Sequence, residues 1–148
     1  GPAGVTLYTV GTVKPVRVSD DLTRTYVSVD GGMSDNARPA LYGAHYSARL
    51  ASRVSSADAA LVRVVGMHCE SGDIVVDAEY LPGDVAADDL LAVPATGAYC
   101  FSLASNYNYV PRPPVVAVRG GEARVIVRGE TIDDLLARDA GVALERNA

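Results

Sequence analysis

The hexapeptide His68-Cys69-Glu70-Ser71-Gly72-Asp73 sets an imidazole, a thiol and two carboxylates side by side, in a chain with one further histidine, His45, and one further cysteine, Cys100. Such a set offers a thiol as nucleophile or proton donor, an imidazole as base, and a carboxylate as counter-ion for an ammonium group. It lies between the valine-rich runs 60–65 and 74–76. Core strands do not bury so many ionisable groups unpaired, so it reads as a functional loop joining two strands. Structural zinc takes two well-spaced ligand pairs, whereas His68, Cys69 and Glu70 are consecutive and Cys100 stands alone, so no metal site is expected. A Cys-His nucleophile pair would need His45 as the partner of Cys69, because His68 and Cys69 are sequence neighbours. A small buried hydrophobe is the plain alternative for a free thiol.

Three more clusters carry polar or aromatic groups. The segment Asp30-Gly31-Gly32-Met33-Ser34-Asp35-Asn36-Ala37-Arg38-Pro39-Ala40-Leu41-Tyr42-Gly43 presents Arg38 and Tyr42. A guanidinium fork matches a carboxylate in a bidentate way, and a phenol adds a directional bond; the alternative is a Gly-rich connection with an exposed arginine. Asp30, Asp35 and Asn36 miss the EF-hand spacing, which excludes a calcium loop of that type. Tyr99, in Thr96-Gly97-Ala98-Tyr99-Cys100, stands where a strand gives way to a helical turn. There its phenol and nearby backbone N–H groups suit a phosphate, and packing beneath a barrel rim is the alternative. Residues 105–108 form the last cluster.

The elements that must position these clusters are short and β-rich. Residues 5–18 read as one long or two short strands, with Gly11 as a bulge and Pro15 as a break. A turn at 19–21 leads to a strand over 25–29, which Asp30-Gly31-Gly32 ends. Runs 49–54 and 60–65 read as a strand pair across the turn 55–58, followed by strands at 74–80 and 88–94. Residues 101–107 allow a helical turn or two, and Pro111, Pro113 and Pro114 forbid a regular ladder after it. Strands 115–119 and 124–128 flank Gly120-Gly121-Glu122 as a hairpin, and Thr131 caps a short helix over 131–136. The sum is an all-β fold, a small Greek-key barrel or sandwich with one or two short helices. Each cluster follows a strand, so the loops can converge on one rim.

At 148 residues the chain has the size of one domain. Its net charge of −5, without a basic stripe, excludes the electrostatic footprint of a nucleic-acid binder. No apolar run is long enough to span a membrane, and Gly1-Pro2-Ala3-Gly4 lacks the regions of a signal peptide, so a cytoplasmic protein is expected. Two cysteines make no disulfide framework and are read as thiols. Lys14 is the single lysine, against twelve arginines, so any chemistry that needs a lysine amine has one candidate.

The segments Tyr26-Val27-Ser28-Val29 continuing through Asp30-Gly31-Gly32-Met33-Ser34-Asp35-Asn36, Arg38-Pro39-Ala40-Leu41-Tyr42-Gly43, the hexapeptide, Gly97-Ala98-Tyr99-Cys100 and Tyr107-Asn108 occur in an order and spacing that resembles one family. It is the C-terminal β domain of the diaminopimelate decarboxylases, pyridoxal-phosphate enzymes of the alanine racemase-like group. The resemblance covers nearly the whole chain. It implies an active site between an N-terminal (β/α)8 barrel, which holds the cofactor, and the β domain of a homodimer. It implies that Arg38 and Tyr42 bind a substrate carboxylate. Cys69 and Glu70 would reach into the partner subunit's site, with Glu70 meeting the distal amino-acid end of diaminopimelate and Cys69 the catalytic group that helps protonation after CO2 leaves. Tyr99 would contact substrate or cofactor near the phosphate. The implied reaction takes meso-diaminopimelate to L-lysine.

The chain departs from that family in one large respect. The lysine that carries the cofactor, the glycine-rich phosphate loop and the barrel are all absent, and Lys14 in Gly11-Thr12-Val13-Lys14 matches the β domain instead. Gly1 falls where the barrel would hand over to the β domain, although Gly-Pro also suits a protease-site remnant. Met67 stands where the family often has lysine. Residues 1–148 are therefore expected to be one C-terminal β domain without its barrel, inactive alone and completed by that barrel and a second subunit. A stand-alone binding or assembly module of the same fold, and a sister decarboxylase with another substrate, are the alternatives.

Overall fold

A computed structural model describes residues 1–141, which divide into one unit over Gly1–Ala104 and a second from Ser105 onward. In the first unit, strands β1 (Val5–Ser19), β2 (Leu22–Val29), β3 (Arg49–Leu50), β4 (Ala59–Val65), β5 (Ile74–Pro82) and β6 (Leu90–Pro94) form a sheet in the order β3-β6-β1-β2-β4-β5. Its end strands β3 and β5 approach each other, so the sheet curls into a nearly closed barrel. The all-β expectation holds. Alternating residues face inward: Tyr8 and Val10, Val27 and Val29, Val62 and Val64, Leu91 and Val93 are all buried, with Val75, Val76 and Leu81 from β5. Each such side chain contributes roughly 1.5–3 kcal/mol of burial free energy.

β1 runs unbroken for its whole length and serves two neighbours. It pairs with β6 over Val5 to Thr9 and with β2 from Val10 onward, and the register shifts between Val10 and Val13. The bulge expected at Gly11 lies in this shift, where Thr12 N–H donates to Ser28 Oγ at 2.8 Å. Pro15 does not break the strand. It pairs with Thr25 in a stretch where β6 no longer flanks β1, so its missing N–H leaves no ladder bond unmade.

The strand pair expected from 49–54 and 60–65 does not form. Residues 49–50 pair with β6, while β4 pairs parallel to β2 and antiparallel to β5. The cause is Arg53. Its guanidinium binds Asp89 through Nε and Nη2 at 2.8 Å each and Asp84 Oδ2 at 2.9 Å, while Ser52 and Ser55 donate to the same two carboxylates. These bonds draw the segment toward the 84–89 turn and away from β4. β5 also continues through Pro82, where a turn was expected from Leu81.

The second unit holds the expected hairpin, β7 (Val115–Arg119) and β8 (Glu122–Val127), turned by Gly120 and Gly121 at φ of 60° and 83°. Among the helices, α1 spans Arg38–Tyr42, α2 Cys100–Leu103 and α3 Ile132–Leu136. α1 falls in a stretch with no helical signal. α3 carries the expected cap, with Thr131 Oγ1 accepting from Asp134 N–H and the Asp134 carboxylate accepting from Thr131 N–H. Glu130 accepts from Asn106 Nδ2, Arg112 N–H and Arg112 Nη1, which closes the loop that contains Tyr107, Asn108 and Tyr109. Among the described residues, no helix is long and apolar enough to cross a membrane.

The Arg53 cluster makes stability depend on pH. Its guanidinium holds the Asp89 and Asp84 carboxyls below the usual carboxylate range. A folded-state pKa below the unfolded value gives stability that is complete above about pH 4 and lost as pH falls further. Asp89→Asn should lower Tm at pH 7 by roughly 5 °C and flatten the acid limb of a Tm-versus-pH curve. An unchanged acid limb would show that Asp89 does not govern it.

Candidate active site

The strand directions decide where the clusters meet. β2 runs parallel to β4, β1 antiparallel to β2, and β6 antiparallel to β1, so the C-terminal ends of β2, β4 and β6 share one rim. The loops that leave those ends are 30–46, the hexapeptide loop 66–73, and 95–100. Three of the four clusters therefore converge. The cluster at 105–108 belongs to the second unit.

Arg38 opens α1. Pro39 favours a helix start and Gly43, at φ of 61°, ends it, with Gly43 N–H donating to Pro39 O at 3.0 Å. Tyr42 lies one turn on from Arg38, with its ring centroid 5.9 Å from the guanidinium carbon, and the Tyr99 ring lies 5.4 Å away. Both rings are largely exposed. Arg38 has no ion pair among the described residues, and its Nε is buried without an acceptor. A guanidinium that close to two aromatic rings, with no carboxylate partner among the described residues, has the chemistry to pair with an anion.

Tyr99 precedes α2 with φ of 68° and ψ of −25°, a left-handed conformation that costs a non-glycine residue about 1–2 kcal/mol. The residues just before it are tightly packed. Gly97 packs backbone to backbone against Gly4, leaving no space for a Cβ at Gly4, and Thr6 Oγ1 donates to Thr96 Oγ1 at 2.9 Å. The next residue, Cys100, is buried, with its Sγ 3.4 Å from Asn36 Oδ1 and 3.7 Å from the Tyr46 hydroxyl. Asn36 Oδ1 also accepts from Arg38 N–H at 3.4 Å. One amide oxygen thus joins the start of α1 to the start of α2, the two elements that carry Arg38 and Tyr99. Burial and the Cys100 contact push the Tyr46 hydroxyl pKa up, against the opposing charge of Arg38.

The hexapeptide separates into two kinds of residue. His68 and Asp73 are buried, whereas Cys69, Glu70, Ser71 and Gly72 are exposed. His68 Nε2 lies 2.9 Å from Ser34 Oγ, and the Asp73 carboxylate accepts from Met33 N–H at 2.7 Å and from His68 N–H at 2.9 Å. Met67 N–H donates to Gly31 O at 2.9 Å. The imidazole and one carboxylate of this motif are therefore structural, and the thiol and the Glu70 carboxylate are left on the surface. Asp35 completes the loop from below: it accepts from Gly32 N–H and from the buried Tyr8 hydroxyl, and burial raises its pKa against those two bonds.

Asn36, Ser34 and Tyr46 carry no signal of their own in the sequence. The hint is indirect, since the Gly31-Gly32 pair marks a loop that something must approach closely. Both cysteines are free.

The domain is all-β, and its rim loops hold Arg38 close to two tyrosine rings, with an exposed thiol and carboxylate on the neighbouring hexapeptide loop. Residues 2–97 match the model of the pyridoxal-dependent decarboxylase, C-terminal sheet domain, and the chain belongs to that family. It is 61% identical over 137 residues to the diaminopimelate decarboxylase of Mycobacterium tuberculosis, a match that covers 93% of this chain and 31% of the relative. The diaminopimelate decarboxylase of Corynebacterium efficiens is 56% identical over 93% of the chain and 30% of its own length. The crystal structure of the M. jannaschii diaminopimelate decarboxylase in co-complex with L-lysine superposes with a TM-score of 0.80 at 34% identity, covering 93% of this chain and 30% of that one. The chain spans about a third of the length of the relatives it matches.

The left-handed backbone at Tyr99 reverses the usual order of helix preferences. Tyr99→Gly should be more stable than Tyr99→Ala by about 1 kcal/mol in urea unfolding. Equal stability, or alanine ahead, would mean that this residue does not hold a left-handed conformation in solution.

Proposed function

We propose that this chain is the sheet domain of a decarboxylase that converts meso-diaminopimelate to L-lysine and CO2. The observation that carries the reading is the Arg38 guanidinium, close to the Tyr42 and Tyr99 rings and without a carboxylate partner among the described residues, in a chain 61% identical to a diaminopimelate decarboxylase. In this reading Arg38 and Tyr42 bind the carboxylate of the substrate's distal amino-acid head, and Glu70 binds its ammonium group. Cys69 Sγ delivers a proton to the carbon that CO2 leaves. Tyr99 contacts substrate and cofactor through its exposed ring and phenol. Two charged heads on one substrate explain why both an open arginine and an exposed glutamate stand on the same rim.

Pyridoxal phosphate fits this chain only at its edge. Lys14 is the only lysine, and it lies within β1 opposite Tyr26, outside the cluster of Arg38, Tyr42 and Tyr99. The chain thus brings no lysine amine to that cluster to hold the cofactor's aldehyde. When bound, pyridoxal phosphate supplies the electron sink for loss of CO2. Its binding falls to the (β/α)8 barrel, in the part of the relatives that this chain does not span, and a second subunit completes the site as a homodimer. The two free thiols accord with a cytoplasmic setting.

Three results are expected. Mixing this chain with the barrel portion of a close relative should restore release of CO2 from meso-diaminopimelate, while this chain with pyridoxal phosphate alone should release none. Well-folded partners that stay inactive would favour a non-catalytic module. In the full-length polypeptide, Arg38→Met should raise KM for meso-diaminopimelate by about 100-fold, from loss of a charge-assisted pair of hydrogen bonds. Cys69→Ala should lower kcat with Tm unchanged, and equal losses of turnover and stability would assign the thiol to packing.

A further inference from the structure

We propose that Asp73 is a positioning residue for Cys69 and Glu70, holding the hexapeptide in register with the loop that leads to Arg38. The function of Cys69 and Glu70 rests on the decarboxylase reading; the way they are held rests on geometry alone.

An aspartate in a polar loop is ordinarily solvated, yet Asp73 is only 3% exposed. Its two carboxylate oxygens go to different loops, Oδ1 to Met33 N–H and Oδ2 to His68 N–H. Its backbone closes the hexapeptide loop, since its carbonyl accepts from Gly66 N–H at 2.8 Å and its N–H donates to Glu70 O at 3.0 Å. Space for the carboxylate exists because both neighbours are glycines. A Cβ at Gly32 would stand 2.5 Å from Oδ1, and one at Gly66 would overlap Oδ2. The His68 ring adds a second tie to the same loop through Ser34. Between the anchors at His68 and Asp73, Cys69 and Glu70 sit on an arc too short to wander.

The site accepts aspartate and rejects its nearest substitutes. Asparagine turns one acceptor into a donor that faces a backbone N–H, so one of the two loops is released. Glutamate needs one more methylene between Gly32 and Gly66, where none fits. Asp73 touches no ligand-facing group with its side chain, so it acts through the residues it places.

Two measurements test this. In this chain, Asp73→Asn should speed amide exchange at Met33 and at residues 68–72 by about tenfold or more, with Val27 and Val64 unchanged. Unchanged exchange at Met33 and His68, or equal loosening of the whole sheet, would overturn the proposal. In the full-length polypeptide, Asp73→Asn should lower kcat/KM for meso-diaminopimelate by about tenfold, in both kcat and KM, yet by less than about twofold when Cys69→Ala and Glu70→Gln are already present. Additive effects would overturn it. Should Asp73→Asn fail to fold, Ser34→Ala cuts the His68 tie with less disturbance and should show the same non-additivity with that pair. A wild-type protein that does not turn over meso-diaminopimelate would refute the decarboxylase reading, and amide exchange would still decide the role of Asp73.

Discussion

Because β2 and β4 run parallel, the chain that leaves β2 and the chain that leaves β4 emerge side by side at one rim, and the antiparallel steps through β1 bring the end of β6 to the same place. An antiparallel β2–β4 pair would have sent the hexapeptide to the opposite rim from Arg38. With the loops adjacent, a small set of buried polar bonds is enough to fix them. Asp73 ties the hexapeptide to Met33, Asp35 ties the same loop to Tyr8 in the core, and Asn36 ties it to Cys100 below Tyr99. The loop 31–36 is the hub of all three.

Such a hub is costly to build. Each buried acceptor must be matched by a donor, and close approach of the two loops requires glycine at 32 and 66. In return the groups that face outward need little support of their own. Arg38 and Tyr42 share one helical turn, Tyr99 follows the close Gly4–Gly97 contact in a left-handed backbone, and Cys69 and Glu70 ride between buried anchors. The rim is a set of exposed side chains standing on a base of buried polar contacts.

Much of this was legible in the sequence. Alternating valines and turn residues gave the strands of the barrel, Thr131 its capped helix, and the hexapeptide its place on a loop. The long-range pairing was not legible, because nothing local distinguishes a hairpin from a strand that joins β2 in parallel. What diverted residues 49–54 from β4 is the attraction of Arg53 for Asp84 and Asp89, more than thirty residues along the chain. Asp73 was likewise ambiguous: in composition it is one more carboxylate beside a thiol, and only its burial against two glycines separates it from Glu70.

The proposed role of Arg38 is to receive a substrate carboxylate. The most direct measurement is a crystal structure of the full-length polypeptide with L-lysine bound. The lysine carboxylate should lie within hydrogen-bond distance of the Arg38 guanidinium and the Tyr42 hydroxyl. A lysine whose carboxylate lies elsewhere, with Arg38 still open between its two tyrosines, would contradict it.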